Sequence, residues 1–466
     1  MTGSISAQLA SWLADLTPET TPPAVMADAK RRLIDVLGLI VAATRTPIGT
    51  AIRQAGQQLG AGAEATVPGY GDRLPAASAA LVSGTLAHAE DFDDTHAASV
   101  MHASVSVVPL ALTAAEAAGA TGAELLMAIA AGNEIACRIA LGAPGGFHVR
   151  GFHPTGVVAA LSSAMIAAKL AGLTADQMVA ACGVAGSQAS GILEAYADGT
   201  WSKTMHAGWA AHAGIIAAKM AAAGFTGPAT IIEGRFGLLR SHVPADQPLN
   251  LSAITDGLGK SWIAPDACFK PYPCAHASHP FVDAALDLRA RHDLKPDQIA
   301  KITLHVVAEH APMIAEPLAA KLRPRTSTHA RASLPYACAA ALLHGELTPA
   351  LYEMAAIQDP RALALCDRTE ILPDPEPTPA DGFRGRIRID LADGRSIEQT
   401  RATNHGSPLD PMTDAELQAK FRAGFDSAGL GDRADATLAA IDRLERDGLR
   451  PLIAAFTPST GKMTLA

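Results

Sequence analysis

From residue 5 to about 225, apolar residues recur with helical period almost without a break. No other feature limits the fold of this chain so strongly. Pro22 and Pro23 open a helix expected to run to Ala43, with Lys30, Arg31 and Arg32 on its polar side. Further helices are expected at about 75–89, 104–119, 122–142, 155–171, 175–197 and 205–224, most of them closed by Gly and opened by Thr, Pro or Asp. Hydrophobic residues make up 49% of the chain but aromatics only 4%. Such helices pack through small residues, so a β-sandwich is not expected.

The pattern changes near residue 265. Lys301–Val307 alternates like a strand, and Gly385–Leu391 and Arg395–Arg401 flank Ala392-Asp393-Gly394, a hairpin signal. A helix is expected at 331–344 and an extended loop at 373–379, before helical periodicity returns through Ala415–Phe425 and Ala434–Glu445. At 466 residues the chain is long enough for two domains. The expected fold is mainly α. A large all-helical domain is built from both chain ends (1–266 and 403–466), with a smaller α+β domain (267–402) inserted between them. Small-molecule sites favour clefts at such boundaries.

Net charge is −9 with a pI near 6.0, which argues against a nucleic-acid partner. The apolar runs are broken by charges before they could span a bilayer, so no membrane partner is expected. The opening Met-Thr-Gly-Ser-Ile-Ser-Ala has neither a basic nor an apolar leader region, and a cytoplasmic location is expected. Cys137, Cys182, Cys268, Cys274, Cys338 and Cys366 are scattered, read as reduced thiols, and match neither a zinc nor an iron–sulfur spacing.

Four segments collect the unusual residues. Residues 88–102 place four acids and three histidines between helices that are otherwise apolar, among them Asp91, Asp93, Asp94, Thr95, His96 and His102. Burying so many ionisable groups is costly unless each is paired or used. The plain alternative is a solvated helix end; a metal site lacks helix-spaced ligand pairs. The second segment, Gly151–Gly156, puts His153 at a helix start ahead of Pro154. In the third, Lys203 and His206 open a very apolar helix, so the lysine must snorkel or meet an anion. The fourth, Lys270–Pro280, carries Lys270, His276 and His279 on a path that its prolines keep extended. Separately, these read equally well as a structural histidine, a surface lysine and a rigid linker. Converging, they form a cationic pocket suited to a small di- or tricarboxylate, with histidine or a paired Asp removing a proton α to a carboxylate.

In order and spacing the four segments resemble the motifs of the MmgE/PrpD family. Asp91-Phe92-Asp93-Asp94-Thr95 is similar to its aspartate motif, Gly151–Pro154 to its Gly-Phe/Trp-His-Pro motif and Ser202–Gly208 to its Lys-x-x-His-x-Gly motif. Residues 223–228, 233–237 and Pro408–Met412 leading to Lys420-Phe421 also resemble family signatures. The resemblance implies a helical domain with a lid domain, a homodimer, and no metal or organic cofactor. It implies a site at the cleft with Asp91, His102, His153, Lys203 and Lys270 as catalytic candidates. Thr95, His206 and His276 are the candidates for substrate binding.

The family includes 2-methylcitrate dehydratase, cis-aconitate decarboxylase and iminodisuccinate epimerase. In the decarboxylase a histidine follows the lysine equivalent to Lys270 by five positions; here that place is Ala275, and His276 comes next. Many bacterial members carry Ser-Cys-Arg where this chain has Cys274-Ala275-His276. The difference counts against the decarboxylase, and the missing arginine against methylcitrate itself; the leading expectation is a lyase that dehydrates a hydroxy-polycarboxylate such as 2-methylcitrate. The alternatives are an epimerase of an imino- or amino-dicarboxylate, a cis-aconitate-type decarboxylase, or a catalytically silent binding protein.

Overall fold

The computed structural model describes residues 3–376 and 382–458. The protein is mainly α, with a small sheet in its second half. One hydrophobic core runs from Ile5 to Ile254 and is rejoined by residues between Phe421 and Phe456; a second is built from Cys274 to Leu391. We propose 1–266, 267–402 and 403–466 as the domain division for these cores. The end of the extended loop expected at 373–379 lies outside the described residues from 377 onward.

Most helices stand where the periodicity puts them: Pro23–Ala43, Ala76–Ala87, Ser104–Ala118, Gly122–Leu141 and Ser202–Ala222. Three placements differ. The helix expected to reach 197 spans only Ala175–Gly186; beyond it, Gly191 takes φ 151° and the chain turns back onto the second motif. There the His153 N–H donates to Gly191 O (2.8 Å) and the Leu193 N–H to Gly151 O (2.9 Å). Pro280 does not extend the fourth segment but occupies the first turn of the His279–His292 helix, where its missing N–H costs nothing. Arg32, expected on a polar face, is 1% exposed because its guanidinium is bound on all sides by Asp28, Asp94 and the carbonyl of Ala267.

The sheet has the order Thr369–Pro373, Ile299–Val306, Gly385–Leu391, Ser396–Arg401. The first pair is parallel and the others antiparallel, so the expected hairpin forms its edge. Among the described residues no single helix is long and apolar enough to cross a membrane.

Small residues set the spacing on which the site depends. The Ser202–Ala222 helix, carrying Lys203 and His206, crosses the Ala76–Ala87 helix, which delivers His88, at Gly208 and Gly84. A Cβ on Gly208 would lie 2.1 Å from Leu81 O, and one on Gly84 would lie 2.6 Å from Gly208 Cα. Backbone meets backbone, and neither atom can move aside as a side-chain tip would. Gly208→Ala should therefore cost about 1–3 kcal/mol in urea denaturation. It should also slow turnover, because it displaces the helix that carries Lys203.

Candidate active site

The aspartate segment leaves the Ala76–Ala87 helix at His88 and is held on both sides. Asp91 adopts φ 50°, a left-handed conformation that Asp tolerates better than most residues. Thr95 pairs by backbone hydrogen bonds with Cys268 at 2.9 and 2.8 Å, tying the first segment to the fourth. Arg32 Nη1 meets Asp94 Oδ2 at 3.1 Å, and Ser104 Oγ donates to the same oxygen at 2.5 Å. Asp94 is thus a fixing point. His96, N-capping the turn at Ala97–Ser99 through Ser99, is likewise a local support.

Asp91 lies between two buried lysines. Lys270 Nζ donates to its Oδ1 at 2.8 Å and to its carbonyl at 3.0 Å, and Lys203 Nζ lies 3.8 Å from Oδ1. Burial pushes the Asp91 carboxyl up, but Lys203 and Lys270 outweigh it and hold the group well below the ordinary carboxylate range. Burial likewise pulls the Lys203 ammonium down, yet Asp91 leaves it above the ordinary lysine value. An acid held this firmly ionised is a poor base. Asp91 is a fixed counter-ion.

A hydrogen-bonded chain continues from Lys203. Its ammonium donates to His88 Nε2 at 3.2 Å, which places the ring proton on Nδ1, facing Asp93 Oδ1 at 2.9 Å. The second oxygen of Asp93 lies 3.4 Å from His102 Nδ1. That nitrogen is 2.8 Å from Asp94 O, a carbonyl that only accepts, and 3.1 Å from Thr95 Oγ1. His102 therefore keeps its proton on Nδ1 and its lone pair on Nε2. Burial, opposed by Asp93 but reinforced by both lysines, pushes His102 down to about 3.

His153 and His206 complete the cluster, their Nδ1 atoms 3.2 Å apart. His153 Nε2 is buried with no hydrogen-bond partner among the described residues. The His153 ring lies 5.4 Å from His88 and 5.9 Å from His102, centroid to centroid. Burial pushes His153 well below the ordinary histidine value and His206 down to about 4. The site opens where Asp91 (20% exposed), His102 (17%) and Lys203 (9%) reach the surface, while His88, Asp93 and Lys270 are closed off.

Seven of the eight candidates from the sequence thus gather: Asp91, Thr95, His102, His153, Lys203, His206 and Lys270. His276 stands apart in direct contacts. The Asn404 amide donates to its Nε2 at 3.0 Å, and its ring packs on His279 and Phe383 with centroids 4.5 and 4.9 Å away. His88 and Asp93 had no assigned part, although their five-residue spacing at a helix end was visible. The expected cationic wall is also weaker than its residue types suggested. Burial holds the histidines neutral, so positive charge rests on the lysines, facing Asp91 and Asp93. Among the described residues no group of three His, Cys, Asp or Glu is arranged to hold a metal ion.

Fold and site together define a two-core helical protein with a buried, hydrogen-bonded cluster of lysines, histidines and carboxylates. The chain belongs to the MmgE/PrpD family: residues 7–249 match the model of its N-terminal domain and residues 272–446 that of its C-terminal domain. It is 30% identical to human cis-aconitate decarboxylase over 438 residues, 90% of this chain and 88% of that protein. It is 28% identical to the mouse cis-aconitate decarboxylase (96% and 91% covered). It is 26% identical to a cis-aconitate decarboxylase-like protein of Aspergillus oryzae (90% of each).

The neutral histidines make stability depend on pH. His96, His148 and His206 are pushed down to about 4 and His102 to about 3, each chiefly by burial. Their folded values lie below the unfolded value near 6.5, so between about pH 4 and 6.5 the unfolded chain binds more protons. Stability is full above that window and drains as pH falls through it. Asp94, pushed up to about 6 by burial, opposes with roughly one proton. Urea titrations should show a loss of about 3 kcal/mol between pH 6 and pH 5. A flat profile would mean that the cluster is charged in the native state.

Proposed function

We propose that this protein is a lyase acting on a small di- or tricarboxylate, working by proton transfer at the carbon α to a carboxylate. The observation that carries this reading is His102. Its Nδ1 proton is committed to Asp94 O, its Nε2 has no hydrogen-bond partner among the described residues, and it stands at the mouth of the site, as do Asp91 and Lys203. Family membership and the relatives' names support the same class.

In the dehydration of a 2-methylcitrate-like hydroxy acid, a substrate carboxylate takes the ammonium of Lys203. The substrate's carboxylates supply the negative charge that the buried ring otherwise lacks and so raise its basicity; His102 Nε2 then removes the α-proton, and the electron pair moves toward the carboxylate on Lys203, whose ammonium stabilises the developing charge. As the C–O bond breaks, a hydrogen bond from His153 Nε2 assists the departing hydroxyl. This requires His206 Nδ1 to be the donor of the His153–His206 bond. The proton gathered on His102 leaves with the hydroxide as water, which closes the balance.

A second reading, decarboxylation of a cis-aconitate-like acid, is favoured by the relatives that cover nine-tenths of the chain. The difference at Ala275 and His276 weighs against it, because His276 Nε2 is already engaged by Asn404.

Proton NMR of the protein with a panel of di- and tricarboxylates in D₂O separates the readings. New vinylic signals without gas release mark dehydration, CO₂ release with a new methylene marks decarboxylation, and deuterium uptake with inversion alone marks epimerisation. Silence with every acid would overturn the enzyme reading. His102→Asn should lower kcat about 10²–10⁴-fold, the usual worth of a general base, with an unchanged melting temperature.

A further inference from the structure

Lys420 belongs to a signature in the sequence that the chemistry above does not use. It lies on the Asp414–Ser427 helix, far along the chain from every catalytic candidate, yet its side chain is only 9% exposed and reaches in behind them. Nζ donates to Phe92 O at 2.7 Å and to Lys270 O at 3.0 Å, pairs with Asp35 Oδ1 at 2.7 Å, and stands 3.9 Å from the centre of the Phe92 ring. Phe92 separates Asp91 from Asp93. The two carbonyls therefore belong to the two segments whose side chains meet in the Asp91–Lys270 ion pair.

Other ties flank this point on both sides. The Thr95–Cys268 bridge and Arg32, which binds Asp94 and Ala267 O, lie beyond Asp93, and Arg331 Nη1 donates to Glu90 O and Pro273 O on the other side. Next to Asp91 the backbone faces the cleft between the two cores, a cavity of about 1120 Å³ with Asp35, Phe92, Tyr272, Arg331 and Lys420 on its walls. Among the described residues no other side chain in that wall joins Phe92 O to Lys270 O. A neutral side chain at 420 would leave both carbonyls without this donor and Asp35 without its cation.

We propose that Lys420 is a positioning residue. By clamping the carbonyls of Phe92 and Lys270 it sets the angle at which Lys270 meets Asp91, and through Asp91 the place of Lys203. The inference rests on the reading of this cluster as an acid–base site. It adds that the C-terminal helices, which contribute no group to the reacting centre, are required for its geometry.

Lys420→Met alone would strand the buried Asp35 charge and unfold part of the population, so the deciding variant is Asp35→Leu/Lys420→Met. Replacing both partners of a buried pair with apolar groups of similar volume is often neutral or stabilising. The double variant should melt within a few degrees of the parent while its kcat stays about 10²-fold lower, the order expected of a 1 Å misplacement. KM for the carboxylate that the parent turns over should change little, because Lys420 touches no substrate-facing atom. In the crystal structure of the double variant Lys270 Nζ should be drawn away from Asp91 Oδ1, against 2.8 Å here. Recovery of kcat together with stability, or an unmoved Lys270, would overturn the proposal. Should the parent turn over no carboxylate, the function proposed above fails, and the crystallographic distance still decides the role of Lys420.

Discussion

The site depends on charges buried beneath it. One face of the Pro23–Ala43 helix carries Arg32 and Asp35 into the interior, where Arg32 meets Asp94 and Asp35 meets Lys420. These pairs hold the aspartate segment from below at residues 92 and 94, leaving Asp91 and Asp93 to face the other way. Pairing does not make such charges a clear gain in stability, since their desolvation offsets most of the attraction. Removing one partner, however, strands the other at a cost of about 3–5 kcal/mol. The arrangement is therefore better understood as specification than as glue, since only one placement of the segment satisfies all four charges.

Much of the fold was legible because helices and strands leave a period in the sequence. Small residues at helix crossings left a second trace, in Gly84 and Gly208. The chemistry-bearing residues were legible as types in unusual places: Lys203 at the head of an apolar helix, and His153 ahead of a proline. Three things were not legible. Whether Arg32 is a surface or a core residue depends on Asp94, sixty-two positions on in the chain. The break after Gly186 depends on a tertiary partner, the Gly151–His153 backbone. The part of His88 emerges only once the Ser202–Ala222 helix is laid against it, because nothing near His88 in sequence indicates a lysine on its Nε2. Each is a long-range pairing of polar groups, which leaves no periodic trace.

Burial also overturned an electrostatic expectation. Histidines and lysines counted along the chain suggest a strongly cationic pocket, but a buried histidine avoids charge unless an anion stabilises it. Lys203 escapes the same fate because Asp91, beside it, holds its ammonium above the ordinary lysine value against burial. Two lysines facing Asp91 and Asp93 leave the cluster close to internally neutral. For the polycarboxylate substrate proposed above, the same burial would couple binding to proton uptake, because the substrate's anions favour protonated histidines.

The two lysines cannot play the same part. Lys270 is fully enclosed and bound twice to Asp91, through its side chain and its carbonyl. Turning toward a ligand would cost it both bonds and leave the Asp91 carboxylate facing one cation fewer. Lys203 is partly open, lies a full ångström farther from Asp91 (3.8 against 2.8 Å), and rests on the uncharged Nε2 of His88. It can exchange a long contact with Asp91 for a short one with a substrate carboxylate and keep its second partner. On this reasoning the residues divide into a fixed pair, Asp91 with Lys270, and a working ammonium, Lys203. In the proposed reaction, proton transfer takes place within reach of Lys203, at the open end of the cluster, where His102 Nε2 has no hydrogen-bond partner among the described residues.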